Sequence, residues 1–257
     1  MDIRYYTALP PGLQQPVCQL AACCRAHDNS SLSYPLPPEE GVLRHYLAFG
    51  SPQKLVGALA VISWDEDTVE IAAFTQPEER KKGFFSKLLA LALADFKDYE
   101  ILFAAPFGCR DTMYTLNALG AEHSHDEHQM EFSLSQNRLP GFPPPPQKPA
   151  TLVPPRDILS PGARWMLLSG HTPDSPVGTC LTSPVSPSCL CLHQVMVPRK
   201  LRGQGFGSLL VYELIRHLET TEFLRLILHV SGDNAPALAL YKKAGFRITE
   251  TLSYYSY

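Results

Sequence analysis

The sequence predicts an α/β (α+β) fold built from two tandem copies of one sheet-and-helix domain. Hydrophobic periodicity gives both halves the same order of elements, strand-strand-strand-helix-strand-helix-strand. A basic, glycine-containing turn recurs, since Arg80 lies 122 residues before Arg202, and Gly120 lies 125 residues before Gly245. Such a period is typical of a duplicated domain. A long proline-rich segment lies between the two halves.

That proline-rich segment predicts a domain boundary. Four of the 24 prolines are consecutive at Pro143–Pro146, and neither a helix nor a central strand accepts such a run. We therefore expect an extended, semi-rigid spacer, although a PxxP ligand for a partner domain is an alternative. The expected domains are residues 1–138 and 156–257, with the linker at residues 139–155.

The first half opens on a helical pattern at Gly12–His27, in which Pro16 has to lie in the first turn because proline breaks a helix interior. Strands follow where β-branched and aromatic residues lie between turn-forming segments. The expected strands are Val42–Phe49, Lys54–Ser63, Thr68–Thr75, Glu100–Ala104 and Gln129–Leu134, and the other helices are Phe84–Lys97 and Asp111–Leu119. Gly120 then ends the last helix as a C′ glycine.

The second half repeats this pattern but leaves little room for opening helices at Thr151–Gly162. Its expected strands are Ala163–Ser169, Gly178–Ser183, Cys189–Val197, Leu224–Val230 and Phe246–Tyr255, and its helices are Gly205–Thr220 and Ala235–Ala244. Gly245 again ends the last helix.

Composition excludes several classes of protein. No apolar run approaches the roughly 20 residues of a membrane helix. The first six residues lack a basic stretch followed by an apolar core, so we expect no secretory signal. A net charge of -3 gives no basic excess for nucleic acid. The seven cysteines contain no CxxC pair, so we expect neither a disulfide framework nor a zinc ribbon. We expect a cytoplasmic protein without a metal, and the sequence gives no signal for its oligomeric state.

The clearest chemical signal is a glycine-rich turn between a strand that ends at Val197 and an apolar helix. A helix start presents unpaired N–H groups and partial positive charge, which suit an anion. Gly203, Gly205 and Gly207 have no Cβ, so a diphosphate can approach the backbone, and Arg202 adds a fixed charge. A tight turn without a ligand explains the same glycines. The spacing is neither GxGxxG nor that of a P-loop.

A second segment follows about 30 residues later, Asn234-x-x-Ala237-x-x-x-Tyr241-x-Lys243-x-Gly245-Phe246. Together with Arg202-x-x-Gly205-x-Gly207, it closely resembles the two cofactor motifs of the GCN5-related N-acetyltransferase (GNAT) superfamily. The resemblance is strong over Ala163–Tyr257 and weaker over Val42–Leu134. It implies a tandem GNAT arrangement, in which each domain has a mixed, mostly antiparallel central sheet flanked by helices, and the N-terminal copy is degenerate.

The resemblance implies acetyl-CoA as co-substrate and assigns the residues that hold it. The backbone of Val195, Met196 and Val197 would pair with pantetheine at a β-bulge, and the Val197 N–H could stabilise an oxyanion. The residues implied for the diphosphate are Arg202, Gly203, Gln204, Gly205, Phe206, Gly207 and Ser208. Asn234 would contact the cofactor, and Tyr241 would protonate the departing thiolate. The alternative for Tyr241 is packing on the sheet.

The attacking amine must lose a proton, and His193 is the expected acceptor because it lies on the strand where family members often carry a carboxylate. A structural histidine is the alternative, and His229 on the neighbouring strand is a second candidate. Cys191 could suggest a thiol nucleophile, but direct attack on the thioester needs none. We read Cys180, Cys189 and Cys191 as buried, small apolar residues.

The first copy departs from the motifs. Phe85 stands where the second copy has Gly207, and the offset of 125 places Cys109 and Leu116 at the positions of Asn234 and Tyr241. The turn formed by Arg80, Lys81, Lys82 and Gly83 still resembles an anion site. We therefore expect a scaffold rather than a catalytic domain, with retained CoA binding as the alternative.

Two further segments have competing interpretations. Glu122–His128 is rich in histidine and acidic residues, but as a loop or hairpin it is expected to be solvated surface rather than a metal site. Tyr254, Tyr255 and Tyr257 either line an acceptor pocket or cap the sheet.

The resulting hypothesis is an N-acetyltransferase that transfers the acetyl group of acetyl-CoA to a primary amine by direct attack, with its active site in the C-terminal copy. The expected acceptor is a small molecule, and neither nucleic acid nor a membrane is an expected partner. The alternatives are transfer from another acyl-CoA, an O-linked product, or a non-catalytic CoA-binding protein.

Overall fold

The computed structural model describes residues 2–36, 41–51, 53–135, 149–169 and 175–257. The chain forms two compact units. The first unit comprises Met1–Asp126 and Leu252–Tyr257, and the second comprises Glu127–Thr251. The predicted run Pro143–Pro146 lies outside the described residues.

The first unit is a sheet with helices on both faces. Its strands are β1 (Asp2–Tyr6), β2 (Val42–Phe49), β3 (Leu55–Ser63), β4 (Thr68–Thr75) and β5 (Glu100–Pro106), and its helices are α1 (Pro11–Asp28), α2 (Phe84–Asp95) and α3 (Arg110–Leu119). The strand order is β1-β2-β3-β4-β5, and β4 and β5 run parallel. One core lies between the sheet and α1, and another between the sheet, α2 and α3.

The second unit is a sheet whose two helices pack against it in one hydrophobic core. Its strands β7 (Thr151–Val153), β8 (Ala163–Leu168), β9 (Gly178–Ser186), β10 (Cys189–Met196) and β11 (Arg225–Ser231) lie wholly within it, as do its helices α4 (Phe206–Leu218) and α5 (Ala235–Ala244). It also contains residues 127–133 of β6 (Glu122–Ser133) and residues 247–251 of β12 (Arg247–Ser256). The order is β6-β11-β10-β9-β8-β7, with β10 and β11 parallel. The predicted fold class is confirmed, with a mixed, mostly antiparallel sheet and flanking helices.

The compact units do not follow the boundaries at residues 138 and 156, because the chain changes unit inside two strands. Residues 127–133 of β6 pair with β11 in the second unit, from Glu127 opposite Ser231 to Ser133 opposite Arg225. Residues 252–256 of β12 pair with β5 in the first unit, from Leu252 opposite Pro106 to Ser256 opposite Leu102. Each half of the sequence therefore supplies its last strand, in part, to the unit formed by the other half.

Several elements differ from the sequence prediction. The segment Glu122–His128 was expected to be a loop or hairpin, which is wrong, because it forms the first part of the strand β6. The strand β7 lies within the expected linker. The helix α1 starts at Pro11 rather than Gly12, so Pro16 lies inside the helix instead of in its first turn. The strand β1 was not expected.

The predictions about cysteine and membrane helices can be compared with the described residues. All seven cysteines are free thiols, so no disulfide framework forms among them. Cys180 and Cys189 are buried as expected, whereas Cys191 is only partly buried. Among the described helices, none is both long enough and apolar enough to cross a membrane.

The two tryptophans provide a matched test of the second unit's core. Trp165 is 0% exposed and donates from Nε1 to Thr182 Oγ1 at 2.9 Å, whereas Trp64 is 50% exposed. Removing a fully buried aromatic side chain leaves a cavity, so we expect Trp165→Ala to lower the free energy of unfolding by about 3–5 kcal/mol. Trp64→Ala should cost less than about 1 kcal/mol. Urea unfolding followed by circular dichroism measures both, and equal losses would contradict this account of the core.

Candidate functional site

The parallel strands β10 and β11 part halfway along their length. Their pairing runs from Cys189 opposite Arg225 to Leu192 opposite Leu228. Beyond this point β11 continues to pair with β6 as far as Ser231, and β10 continues to pair with β9 as far as Met196. The edges that face one another are therefore open, and the N–H and C=O groups of an extended ligand can pair with such an edge.

A β-bulge lies in β10 at the open edge. The register against β9 shifts between His193, which lies opposite Leu181, and Met196, which lies opposite Thr179. Gln194 adopts the left-handed conformation with φ of 50°, which is uncommon for a residue other than glycine. A bulge bends its strand and redirects the following groups. The bulge implied by the sequence resemblance is therefore present.

The strand leads into the glycine-rich turn and then into α4. Gly203 and Gly205 have φ of 74° and 88°, which explains why glycine is needed at both positions. The helix has no side-chain cap and no acidic residue in its first turn. Its ladder starts with the Leu209 N–H donating to the Gly205 carbonyl at 3.0 Å. The N–H groups of Phe206, Gly207 and Ser208 precede that bond, so the helix start can receive an anion.

Two polar side chains of the turn donate hydrogen bonds to nearby backbone carbonyls and so stabilise the turn. Arg202 donates from Nε to the Val197 carbonyl at 3.2 Å, which ties the turn to the end of the strand. Gln204 donates from Nε2 to the Lys200 carbonyl at 2.9 Å. Phe206 is buried in the core, so only its backbone can meet a ligand. The rest of the Arg202 guanidinium retains donors for an anion, because Nε uses one of its five N–H groups.

The other predicted cofactor-binding residues differ in how far their side chains are exposed. Val195 and Val197 pack partly buried against the core, whereas Met196 is 60% exposed. Asn234 is the N-cap of α5, and its Oδ1 accepts from the Ala237 N–H at 3.2 Å. This capping role was not predicted from the sequence. It leaves the side-chain amide donors of Asn234 for other partners.

Tyr241 lies on α5 within the core of the second unit and is 7% exposed. Its ring packs edge-on against Phe246, with centroids 5.7 Å apart. Burial, and secondly the neighbouring Cys180, raises the pKa of Tyr241 to about 12. The phenol is therefore protonated throughout the neutral range, so it can donate a hydrogen bond or a proton there but cannot act as a phenolate base.

This raised pKa gives an alkaline stability test. A phenol has a pKa of about 10 in an unfolded chain, so the folded protein binds the Tyr241 proton more tightly. Its contribution to stability is complete below about pH 10 and is lost as the pH rises towards 12. We expect Tyr241→Phe to lose less stability than the parent chain across this interval in urea unfolding. A parallel decline in both proteins would contradict burial of the phenol.

His193 projects from β10 towards β9. Its Nε2 lies 2.9 Å from the Ser183 hydroxyl oxygen, which also accepts from the Gly162 N–H at 2.9 Å. Ser183 and Gly162 were not predicted to contribute to the site. The signal was available in part, because Ser183 lies opposite Cys191 and is thus a diagonal neighbour of His193.

The other proposed reactive side chains have less support. Burial raises the pKa of the Cys191 thiol, so little of it is the nucleophilic thiolate at neutral pH. His229 is exposed and lies opposite Gln129 of β6. The Cys191 thiol therefore gains no support as a nucleophile, and His229 stays the second candidate for the proton acceptor.

The first unit also has two parted parallel strands followed by a basic turn. In this unit, however, the arginine of the turn is already paired with carboxylates of the protein itself. Arg80 donates from Nε to the Thr75 carbonyl at 3.2 Å, as Arg202 does to Val197. The other guanidinium nitrogens of Arg80 contact both carboxylate oxygens of Asp28 at 2.7 and 2.8 Å, and Asp111 at 3.2 Å. The role of Asp28 was not predicted, because nothing near it in the chain indicates a partner 52 residues away.

The histidines in the first part of β6 contact different partners rather than one another. His123 contacts Asp126 at 2.9 Å, His125 stacks on Tyr254 at 4.6 Å, and His128 contacts Thr251 at 2.9 Å. Within the described residues there is no group of three or more histidine, cysteine, aspartate or glutamate side chains that could hold a metal ion.

The C-terminal tyrosines lie in the first unit. Tyr255 packs in the core beside α2 and α3 and contacts the Met113 sulfur from its hydroxyl at 3.3 Å. Tyr254 contacts Trp64 at 5.7 Å between ring centroids. Tyr255 therefore stabilises the sheet of the first unit, in line with the capping alternative.

Part of the chain is similar in sequence to known acetyltransferases. Residues 131–246 match the model of the Acetyltransferase (GNAT) family. A mycothiol acetyltransferase of Saccharomonospora viridis is 42% identical over 60 residues, which are 23% of this chain and 20% of that protein. That of Corynebacterium glutamicum is 35% identical over 66 residues, or 26% and 23% of the two chains. The chain thus matches about a fifth of the length of these curated relatives.

Solved structures resemble the chain over its full length. The GCN5-related N-acetyltransferase from Sphaerobacter thermophilus has a TM-score of 0.75 at 14% identity, over 99% of this chain and 95% of that chain. A tandem GNAT protein from the clavulanic acid biosynthesis pathway has a TM-score of 0.69 at 14% identity, over 100% and 98% of the two chains. These similarities confirm the predicted tandem fold.

Proposed function

We propose, because residues 131–246 match the model of the Acetyltransferase (GNAT) family, that the chain transfers an acetyl group from acetyl-CoA to a primary amine. The site would lie in the second unit, and the acceptor would be a small molecule. The observation that carries the proposal is the open edge of β10, which ends at an uncapped, glycine-rich helix start. We place the protein in the cytoplasm, where its free thiols would stay reduced.

The residues present fit the extended shape and the charge of CoA. The backbone of Val195, Met196 and Val197 would pair with the two amides of the pantetheine arm, and the Asn234 amide would donate to it. The residues around the diphosphate would be Arg202, Gly203, Gln204, Gly205, Phe206, Gly207 and Ser208. A Cβ at Gly203 would meet nothing within 4 Å, so the backbone there is open to a close ligand. The absence of acidic residues in the first turn of α4 removes a source of repulsion.

Acetyl-CoA would supply the thioester that the amine attacks. The Val197 N–H follows the bulge and would donate to the carbonyl oxygen as negative charge develops there. Tyr241 would donate its hydroxyl hydrogen to the departing sulfur. A pKa of about 12 lies roughly 3.5 units above that of a thiol, so complete proton transfer from Tyr241 would be uphill by about 5 kcal/mol. Tyr241 therefore acts best as a hydrogen-bond donor to the developing thiolate.

His193 would accept the proton of the attacking amine. The contact with Ser183 fixes the imidazole ring, and the Gly162 N–H occupies one lone pair of that hydroxyl. The second lone pair of Ser183 Oγ can accept from Nε2–H, which would leave Nδ1 as the unprotonated ring nitrogen that receives the amine proton. His193 would then be an imidazolium held through Nε2 by Ser183, and release of a proton from Nδ1 to water would restore the neutral ring.

Calorimetry with CoA and a thiol-release assay with acetyl-CoA test the proposal. We expect one CoA molecule to bind per second unit, and thiol release to require an amine from a panel of polyamines, amino sugars and amino acids. Absence of CoA binding would overturn the assignment of the groove. CoA binding without thiol release from any amine or alcohol would support the non-catalytic alternative, and faster release from longer acyl-CoA thioesters would support a different acyl donor.

A further inference from the structure

A cavity of about 450 Å³ lies in the first unit where β4 and β5 part. These strands pair only from Thr68 opposite Glu100 to Ile71 opposite Phe103. From Ala72 and Ala104 onwards the two strands separate, and residues of α1, α2 and α3 also line the cavity, which opens to solvent. The volume is in the range of sites for small molecules. The proposed function of the second unit does not use this cavity.

The wall of the cavity is predominantly apolar and aromatic. Ile71, Phe74, Phe84, Phe103 and Leu116 contribute buried side chains to it. Phe85 also lines the cavity, at the position where the second unit has Gly207. The first unit therefore has a phenyl ring where the second unit has a glycine, whose missing side chain would let a diphosphate approach the backbone.

The charges around the cavity cancel rather than favour an anion. Three cationic and three acidic residues line it, namely Arg25, Arg80, Lys81, Asp28, Glu79 and Asp111. Arg80 is held by Asp28, with side chains only 17% and 16% exposed, so its charge is already neutralised. Burial raises the pKa of the Asp28 carboxyl, but hydrogen bonds and charge from Arg80 and His27 outweigh it, so the pKa is lowered overall. To bind Arg80, a diphosphate would have to separate it from Asp28 and then lie beside the carboxylates of Asp28 and Asp111. Breaking a partly buried ion pair in this way is unfavourable.

We infer that the first unit is a binding site for an uncharged, largely apolar small molecule, distinct from CoA. The parted strands provide the space, the aromatic wall provides the apolar contacts, and the Arg80–Asp28 pair closes the end at which a diphosphate would otherwise bind. The inference does not depend on the activity of the second unit, because every residue that carries it lies in Met1–Asp126.

Fluorescence titration of the full chain with N-phenyl-1-naphthylamine, an uncharged apolar dye, tests this inference. We expect saturable binding of one dye per chain, unchanged by saturating CoA or inorganic pyrophosphate. Ala104→Phe, which fills the cavity, should weaken binding at least tenfold. Ser86→Trp, at an exposed position on the rim, should do the same without altering a buried residue. The control Ala94→Phe adds a ring at an exposed position of α2 that does not line the cavity and should leave the affinity within twofold.

Three outcomes would overturn the inference. The first is absence of saturable dye binding. The second is displacement of the dye by CoA, which would place the dye in a CoA site. The third is an equal affinity for the parent chain, folded Ser86→Trp and folded Ala94→Phe, which would place the dye elsewhere on the surface.

Discussion

Gly207→Phe is expected to lower the affinity for CoA at least 100-fold, or by about 2.8 kcal/mol. The change gives the second unit the residue that the first unit has at Phe85. Gly207 lies in the first turn of α4, where its N–H is one of the groups proposed to hold the diphosphate. A phenyl ring there would occupy space beside those N–H groups and oblige the diphosphate to bind farther away. Calorimetry of CoA binding measures the effect.

Gly207→Ala is the matched control. A Cβ at this position would meet Leu240 Cδ2 at 3.6 Å and Val197 Cγ2 at 3.7 Å, which are ordinary contacts. Alanine is also the better helix former, so the alanine variant should fold at least as well as the parent chain. We expect its CoA affinity to fall by less than tenfold. A folded Gly207→Phe protein that binds CoA as the parent does would remove the start of α4 from the proposed site.

Tyr241→Phe is expected to lower kcat by about 100- to 1000-fold and to leave the Kd of CoA nearly unchanged. The hydroxyl would act only as charge develops on the departing sulfur, so its loss affects the transition state more than the bound ground state. Phenylalanine keeps the edge-on packing against Phe246 and the apolar contacts of the core. The assay is thiol release at saturating acetyl-CoA and amine, beside calorimetry with CoA.

The control for Tyr241→Phe is Tyr5→Phe, which removes the hydroxyl of a tyrosine that is 67% exposed in the first unit. Its kcat should equal that of the parent chain. Unchanged turnover in Tyr241→Phe would exclude the hydroxyl from the reaction. A loss of CoA affinity as large as the loss of kcat would instead assign Tyr241 to binding.

Local pattern was enough to predict most elements of both units. The strand Val42–Phe49 has the predicted limits, and the helices ending at Gly120 and Gly245 stop where each glycine adopts positive φ. The glycine-rich turn was predictable because a strand end, special backbone angles and a helix start occur within a few residues. Whether the groove next to it binds CoA and catalyses the reaction stays a prediction.

Long-range pairing was not predictable from local pattern. The strand β6 was only partly identified, because its first residues are histidine and acidic residues that resemble a solvated loop. The Arg80–Asp28 pair joins residues that are distant in sequence, and no periodicity records such a contact. The cap at Asn234 was also missed, although an asparagine before a helix that opens Ala235-Pro236 is a typical N-cap signal.

The path of β6 determines where the polypeptide could be cut. A fragment that began after the proline-rich segment would lack residues 127–133, and with them Met130 and Phe132, which are fully enclosed in the second unit's core. The edge of β11 that β6 normally covers would then be an unsatisfied template for self-association. A recombinant fragment intended to hold the second unit alone should therefore begin ahead of Glu127 rather than at the prolines.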